Sequence, residues 1–482
     1  MISDYIQDLV TYFKNKVLNS VGAERDLVQL IADKDIDKAI SMMQECDEDV
    51  DNAIEEYNPQ THKIMKRQNK RTKKDFYEVC KLPRGRQRYI NEVELFFLLG
   101  RPIVWKKEDG DDDAYTMFTD FLKEQHFNST IRKAKRLAGA ETESAKVYHI
   151  YRNDANEPEV KAMVISRSEG YKLRRLFDQY GNLRAFAYGC RLKRGGNTED
   201  TWEIQTDGVI YRCRKRNLSW EIEQFKNPTG KINVIYYSQR KAWEGVERRI
   251  EREEELDSKV GDTNNYFADP IAKATADVIN SLAGPDTTGK LIQLTGTNSS
   301  FEYVNPPQSS ATRDGEKVDL EKSILFDTFT PNLDFDYMKG LGSLSGAAVR
   351  NAMILGFIKA DNYKETYEEL VTREKNLILA ILAFLHPEKK KAFEELKIAF
   401  NFSSPFDDDK QQLWDSVCRL RQSNVISLET AVEMLSLTDA PEEEVERIRA
   451  DAEVPEEVIQ ERQQDVENEG GVKEKIEEEA VQ

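Results

Sequence analysis

Between Val147 and Tyr237 apolar residues recur at every second position, and this change of period constrains the fold more than any other feature of the chain. VYHIYR, VKAMVIS, LRAFAYGCRL, TWEIQT, GVIYRCR and SWEIEQF are short runs rich in β-branched and aromatic residues. QYGN, RGGN, TDG and NPTG stand between them and supply tight turns. Short strands joined by such turns make an antiparallel sheet. Helical spacing governs both flanks, so the expected class is α+β.

On the N-terminal side, residues 1–57 read as helical, with no glycine between Gly22 and Gly85. HKIMKRQNKRTKKD, His62 to Asp75, is densely basic. It suits a nucleic-acid patch or a solvated helix face. The second is preferred, because aromatic residues for base stacking are missing. RYINEVELFFLLGRPIVW predicts a buried helix with Gly100 at C′ and Pro102 blocking continuation. EDGDDD, Glu108 to Asp113, has Ala114 where a calcium loop starting at Asp109 needs glycine, so it reads as a solvated acidic loop.

A long charged helix is expected over Trp243–Gly261. Glu244, Glu247, Glu251 and Glu254 fall on one face of it, beside an apolar stripe of Trp243, Val246 and Ile250. That acidic face is either solvated, with pairs such as Glu244 and Arg248, or lines something; from the helix alone the solvated reading is preferred. Residues 267–311 are turn-rich, with strand candidates KLIQL and SFEYV, and a second helix follows over Glu316–Phe329. Together these suggest a protrusion on a two-helix stalk.

DYMKGLGSLSGAAVRNAMILGF, Asp336 to Phe357, then crowds Gly340, Gly342 and Gly346 before a helix. A phosphate cradle fails on spacing. Ser345 stands where a dinucleotide fingerprint needs its third glycine, and Gly346-Ala347 replace the lysine and hydroxyl that close a P-loop. The alternative is a flexible loop, Asn332 to Leu344, carrying Asp334, Phe335, Asp336, Tyr337, Lys339 and Leu341, with Ser345 as N-cap. An ordinary surface connector fits equally well. Helix is expected from Ala347 to Leu385, stopped by His386-Pro387. A helix–turn–helix capped by Asp407 or Asp408 and by Ser427 comes next, with Thr430 at N3, and then a Glu-rich tail from about Pro455.

Composition narrows the function. Asp and Glu number 88 against 70 Lys and Arg, a net charge of −18, which argues against simple attraction to phosphates. The longest apolar run, Leu377–Leu385, falls far short of the ~20 residues of a membrane span, and no basic segment precedes an apolar one at the N-terminus. Five scattered cysteines without a CxxC and four separated histidines give neither a disulfide framework nor a metal or acid–base motif. No catalytic residues, metal site or cofactor are expected.

Several segments, in order, resemble the portal proteins of tailed double-stranded DNA bacteriophages, in the long-tailed phage family. LFFLLGRPI resembles that family's apolar helix ending in Leu-Leu-Gly-x-Pro. HIYRNDANEPEVKAMVIS and the hairpin around Gly181 resemble its strands, and GKINVIYYSQRKAWEGVERRIEREEELDSKVGDTNNYFADP its first stem helix. GLGSLSGAAVRNAM is similar to the Ser-Gly-x-Ala start of the helix after the tunnel loop, although AAVRNA departs from the usual Ala-Leu. FNFSSPFDDDKQQLWDSVCRLRQSNVISLETAVEMLSLTDAPEEEVERI is similar to the crown.

The resemblance implies a portal fold assembled as a dodecameric ring around a central channel. Its regions would be a wing over 1–240, stem helices over 241–266 and 312–331, and a clip over 267–311. A tunnel loop would span 332–346, the long wing helix 347–395, the crown 396–455 and an acidic tail 456–482. Glu244, Glu247, Glu251 and Glu254 would line the channel, and Asp334, Asp336, Lys339, Gly340, Leu341 and Gly342 would form the tunnel loop. Twelve chains at −18 carry about −216, a field that repels DNA and keeps it from sticking.

Implied partners are further copies of the chain, the terminase large subunit, the head–tail adaptor, the major capsid and scaffolding proteins, and double-stranded DNA in transit. The implied location is the capsid portal vertex of the virion, after assembly in the host cytoplasm, with no membrane. Rival classes are a packaging enzyme, which would show a Walker A or clustered acids, and another structural ring such as an adaptor or capsid protein, for which the chain is long.

Overall fold

The structure is a computed structural model. It describes residues 23–71, 76–194, 197–216, 219–268, 272–275, 278–279, 294–295, 300–303, 310–341, 346–405, 410–435 and 441–452. Two compact units divide the chain, Met1–Pro405 and Phe406–Gln482.

In the first unit, helices α1 (Ala23–Ala32), α2 (Ile36–Ser41) and α3 (Asp47–Tyr57) precede a short hairpin, β1 (Lys70–Arg71) with β2 (Phe76–Tyr77). Helix α4 (Arg86–Leu99), strand β3 (Val104–Asp109) and helices α5 (Asp112–Glu124) and α6 (Phe127–Glu141) follow. The period-two region gives β4 (Glu143–Arg152), β5 (Pro158–Ile165), β6 (Tyr171–Phe177), β7 (Leu183–Arg194), β8 (Asn197–Thr206), β9 (Val209–Arg216), β10 (Ser219–Lys226) and β11 (Val234–Ser238). All pairings are antiparallel, as the turns require. They form not one sheet but two, ordered β10-β9-β8-β7-β6 and β11-β4-β5.

Alternation explains the stacking. One face of the five-stranded sheet, with Leu176, Ala185, Ala187, Ile204, Tyr211 and Cys213, meets Leu27, Ile31, Ile36, Ala39 and Met43 from the N-terminal helices. Leu173, Phe186 and Tyr188 face the other way, onto Ala145, Val147, Ile165 and Val234 of the smaller sheet. Gly189 is required where β7 crosses β8, because the Trp202 indole lies against it and a Cβ there would displace the ring.

The rest of this unit comprises α7 (Glu247–Ala268), β12 (Ala272–Thr275), β13 (Val278–Ile279), β14 (Leu294–Thr295), β15 (Ser300–Tyr303), α8 (Ser310–Asp327), α9 (Phe335–Leu341), α10 (Gly346–Ala352), α11 (Ile354–Leu385), α12 (Lys390–Glu395) and β16 (Lys397–Asn401). The stalk module consists of nested antiparallel pairs, β12 with β15 around β13 with β14. SFEYV supplies one of these strands; KLIQL lies outside the described residues except for its Leu294.

Two buried charge clusters fix α11. Lys359 reaches Glu94 of α4 at 3.4 Å, and Lys135 of α6 pairs with the same carboxylate. Fifteen residues on, Glu374 meets Lys146 at 2.6 Å and accepts from the Tyr237 hydroxyl at 3.1 Å. Gly356 lets α11 approach α4, since a Cβ there would stand 2.5 Å from the Phe97 ring.

Several boundaries differ from expectation. The charged helix starts at Glu247, because Gly245 takes φ +88 and turns the chain between Trp243 and the first helical residue. Gly100 ends its helix in a right-handed conformation, φ −61, as the cap residue itself rather than as C′. The helix expected from Ala347 to Leu385 breaks at Met353, which is fully buried. Asp111 of the acidic loop caps α5 by accepting from the Ala114 amide at 2.8 Å. Strand β16 pairs with β3 in the first unit, and the second unit starts at Phe406.

The second unit holds α13 (Lys410–Gln422), α14 (Leu428–Leu435) and α15 (Pro441–Ala452), with Val417, Ala431, Val432 and Val445 buried. Ser427 caps α14, its Oγ accepting from the Thr430 amide at 3.1 Å. The proposed caps Asp407 and Asp408 and the tail 456–482 lie outside the described residues.

Candidate assembly and channel surfaces

The stalk begins with Trp243, Val246 and Ile250, the apolar stripe expected from the sequence. It packs on Ile324 of α8 and Ile90 of α4, so it is consumed inside one chain. Charge then zips the two helices together. Arg252 meets Glu316 at 2.9 Å, Lys317 meets Asp257 at 2.5 Å, and Arg249 pairs with Asp327. Arg86 of α4 bridges both, 2.8 Å from Glu253 and 2.9 Å from Glu321.

The acidic face of the stalk is covered by the basic segment that precedes it in sequence. Lys63 meets Glu251 at 2.7 Å, His62 Nδ1 meets Glu254 at 2.6 Å, and Arg67 meets Asp262 at 2.5 Å. Backbone amides add to the clamp. Arg84 N donates to Glu254 at 2.8 Å, Leu82 N to the Ser258 hydroxyl at 3.0 Å and Cys80 N to Asp262 at 2.7 Å. Residues 62–67 and 80–86 thus form a strap across α7, so Lys63 and Arg67 of HKIMKRQNKRTKKD pair with its acids rather than standing on a solvated helix face, while residues 72–75 of that stretch lie outside the described residues.

Electrostatics follow from this enclosure. Burial presses His62 toward its neutral form, but the hydrogen bond and charge of Glu254, with help from the Glu56 carbonyl, outweigh burial and hold it above the usual imidazole range. Asp257 is likewise desolvated, yet Lys317 and Arg84 keep it below the ordinary carboxylate range.

The four glutamates expected to line a channel therefore do not form one free row. Glu254 is only 2% exposed in the single chain and faces the strap. Glu244 sits in the turn before α7 and pairs with Arg240 at 3.5 Å rather than with Arg248. Glu247 is held by Lys241 at 3.0 Å, and Glu251 keeps 41% side-chain exposure beside Lys63.

After α8 the chain turns through Thr328–Thr330 and is pinned. The Tyr89 hydroxyl of α4 donates to Pro331 O and accepts from Leu333 N, both at 2.8 Å. Past the pin, the expected loop is helical from Phe335 to Leu341. Of the three glycines only Gly340 lies inside this helix of about two turns. Asp334, Tyr337, Lys339 and Gly340 are exposed. The side chains of Asp336 and Leu341, and all of Gly342 and Ser345, lie outside the described residues. Tyr89 was not singled out in the sequence, where it reads as one position of the helix before Gly100, and His62 stood out only as one of four separated histidines at the start of the basic stretch.

An uncovered apolar surface runs beside this segment. Val318 and Phe326 of α8, Tyr337 and Met338 of α9, and Ile354 and Ile358 of α11 are all exposed, Phe326 by 66%. Some of them line a groove of about 760 Å³ with Leu325, Pro331 and Leu355.

These features describe a structural subunit. Its charge is spent on clamping helices together, and its spare apolar surface faces outward. Residues 48–457 match the family model described as phage portal protein, SPP1 Gp6-like, and the chain belongs to that family. Proteins of this family are structural, non-enzymatic components of the phage head. No curated protein matches the chain. Among solved structures it is similar to a chain from the neck of an empty gene transfer agent particle, at 9% identity and a TM-score of 0.41 over 72% of this chain and 89% of that one. A chain of the native gene transfer agent virion gives 10% identity and a TM-score of 0.40, over 73% and 89%. Among the described residues no helix is long and apolar enough to cross a membrane.

Proposed function

We propose that the chain assembles into a portal ring, a dodecamer at one capsid vertex, through whose channel double-stranded DNA is packaged and later ejected. The observation that carries this reading is the uncovered apolar surface of Val318, Phe326 and Ile354. The stalk's own stripe is already buried, so this surface remains for a neighbouring copy. A contact between two different faces closes into a ring when its rotation closes.

In this reading α7 and α8 are the stem, and the nested strand pairs belong to the clip (267–311), where the terminase large subunit and then the head–tail adaptor dock. The wing and crown meet the capsid and scaffolding proteins. Segment 332–346 is the tunnel constriction; its part Phe335–Leu341 is a short helix, and the chain just before it is held by Tyr89. Glu244, Glu247 and Glu251 are the acids left to tint the channel wall, each partly neutralised by its cation. Electron microscopy of the purified full chain is the test: closed rings with a central hole are expected. A strictly monomeric protein at micromolar concentration and modest salt would sink the proposal.

A further inference from the structure

The nine-residue apolar run Leu377–Leu385 lies in α11, and a helix apolar on all sides is normally covered on all sides. Here only one side is. Leu377, Ile378, Ile381 and Leu382 are buried, whereas Leu379, Ala380, Ala383 and Phe384 open onto a groove of about 600 Å³ closed by Pro228, Phe393 and Lys390.

One end of this groove carries positive charge without a counter-ion. Lys231, at the rim, donates to the Asn376 carbonyl at 3.0 Å. No carboxylate pairs with it among the described residues. Desolvation alone lowers it from its usual range, with nothing opposing it. At the other end Lys390 has only Glu394, at 3.7 Å. The groove therefore suits an apolar stripe flanked by carboxylates.

We propose that this groove docks an amphipathic helix of another protein of the same particle, its apolar stripe on Leu379, Ala383 and Phe384 and a flanking carboxylate at Lys231. This rests on the portal reading in placing the chain among other head proteins. The apolar surface assigned above to ring neighbours includes Ile354, about 40 Å from Ala380 at 1.5 Å per residue along α11.

The test co-expresses the full chain with the major capsid and scaffolding proteins of its particle. Ring formation is read by electron microscopy, and incorporation into procapsids by quantitative mass spectrometry. Lys231→Glu, at the exposed rim, and Ala383→Glu, in the floor, are each expected to cut incorporation at least tenfold while rings still form. Lys231→Arg is expected to keep it. A photo-crosslinking residue at position 379 should join a helix of a head protein that bears Asp or Glu beside its apolar stripe. Wild-type incorporation of both charge variants would overturn the inference. So would crosslinks confined to a second copy of this chain, or loss of rings in both variants. Failure of the unaltered chain to form rings would instead count against the portal reading.

Discussion

His62 Nδ1 lies 2.6 Å from the Glu254 carboxylate, 192 residues further along the chain, and both side chains are buried. The contact joins the basic segment to the acidic stalk. Because His62 is held above its ordinary value of 6.5, the stability it contributes is fully present below that value and is lost as pH rises through the folded-state value. His62→Gln should therefore destabilise the chain by about 1–3 kcal/mol at pH 6. The gap from wild type should narrow as the pH is raised. Thermal melts of both proteins from pH 5.5 to 9 check this; a constant gap would mean that the imidazole charge plays no part.

The cluster around Glu94 makes a paired prediction. Burial drives Lys359 down to about 8, despite attraction from Glu94, and the neighbouring Lys135 pushes the same way. Lys359→Met should be neutral or stabilising at pH 7, since Glu94 keeps Lys135. Glu94→Gln leaves two buried lysines without their carboxylate and should cost about 3–5 kcal/mol. Between pH 8 and 10.5 wild-type stability should gain from this group, because the unfolded chain binds the extra proton there. Denaturant titrations of the two variants would separate these signs.

Ring assembly should depend on Phe326 and Ile354. Both are exposed in the single chain, so Phe326→Asp and Ile354→Asp should fold normally. Each should raise the concentration for half-assembly at least tenfold, or about 1.4 kcal/mol. Mass photometry over a dilution series gives the value. Unchanged assembly in both would move the interface elsewhere.

Gly340 sits within the short helix Phe335–Leu341, with open space around it. Gly340→Ala should favour that helix by roughly 0.5–1 kcal/mol and stiffen the segment. Rings should still form, while DNA packaging or retention falls. If packaging stays at wild-type level, the segment is an ordinary connector.

How far the sequence could be read depended on the range of the interactions. The strands, the Ser427 cap and the Trp243–Ile250 stripe arise from neighbours a few residues apart, and all were legible. The strap was not. Its basic and acidic halves each look like a solvated face, and only the fold shows that Lys63 and Glu251 cancel one another. Gly245 and Met353 shift helix boundaries for reasons of local geometry and burial that periodicity does not carry. The two-sheet division was hidden as well, since alternation fixes faces but not which strands share an edge.

The pairing of Val104–Asp109 with Lys397–Asn401 sets a timetable for biosynthesis. At ~5–20 residues per second, the ribosome needs roughly 15–60 s to deliver the second strand after the first has emerged. Throughout that wait Trp105 lacks Phe400, the ring that meets it at 5.5 Å in the finished chain. A nascent chain arrested just short of residue 397 would carry stalk and sheets yet keep that edge open, an aggregation hazard that release a few residues later removes.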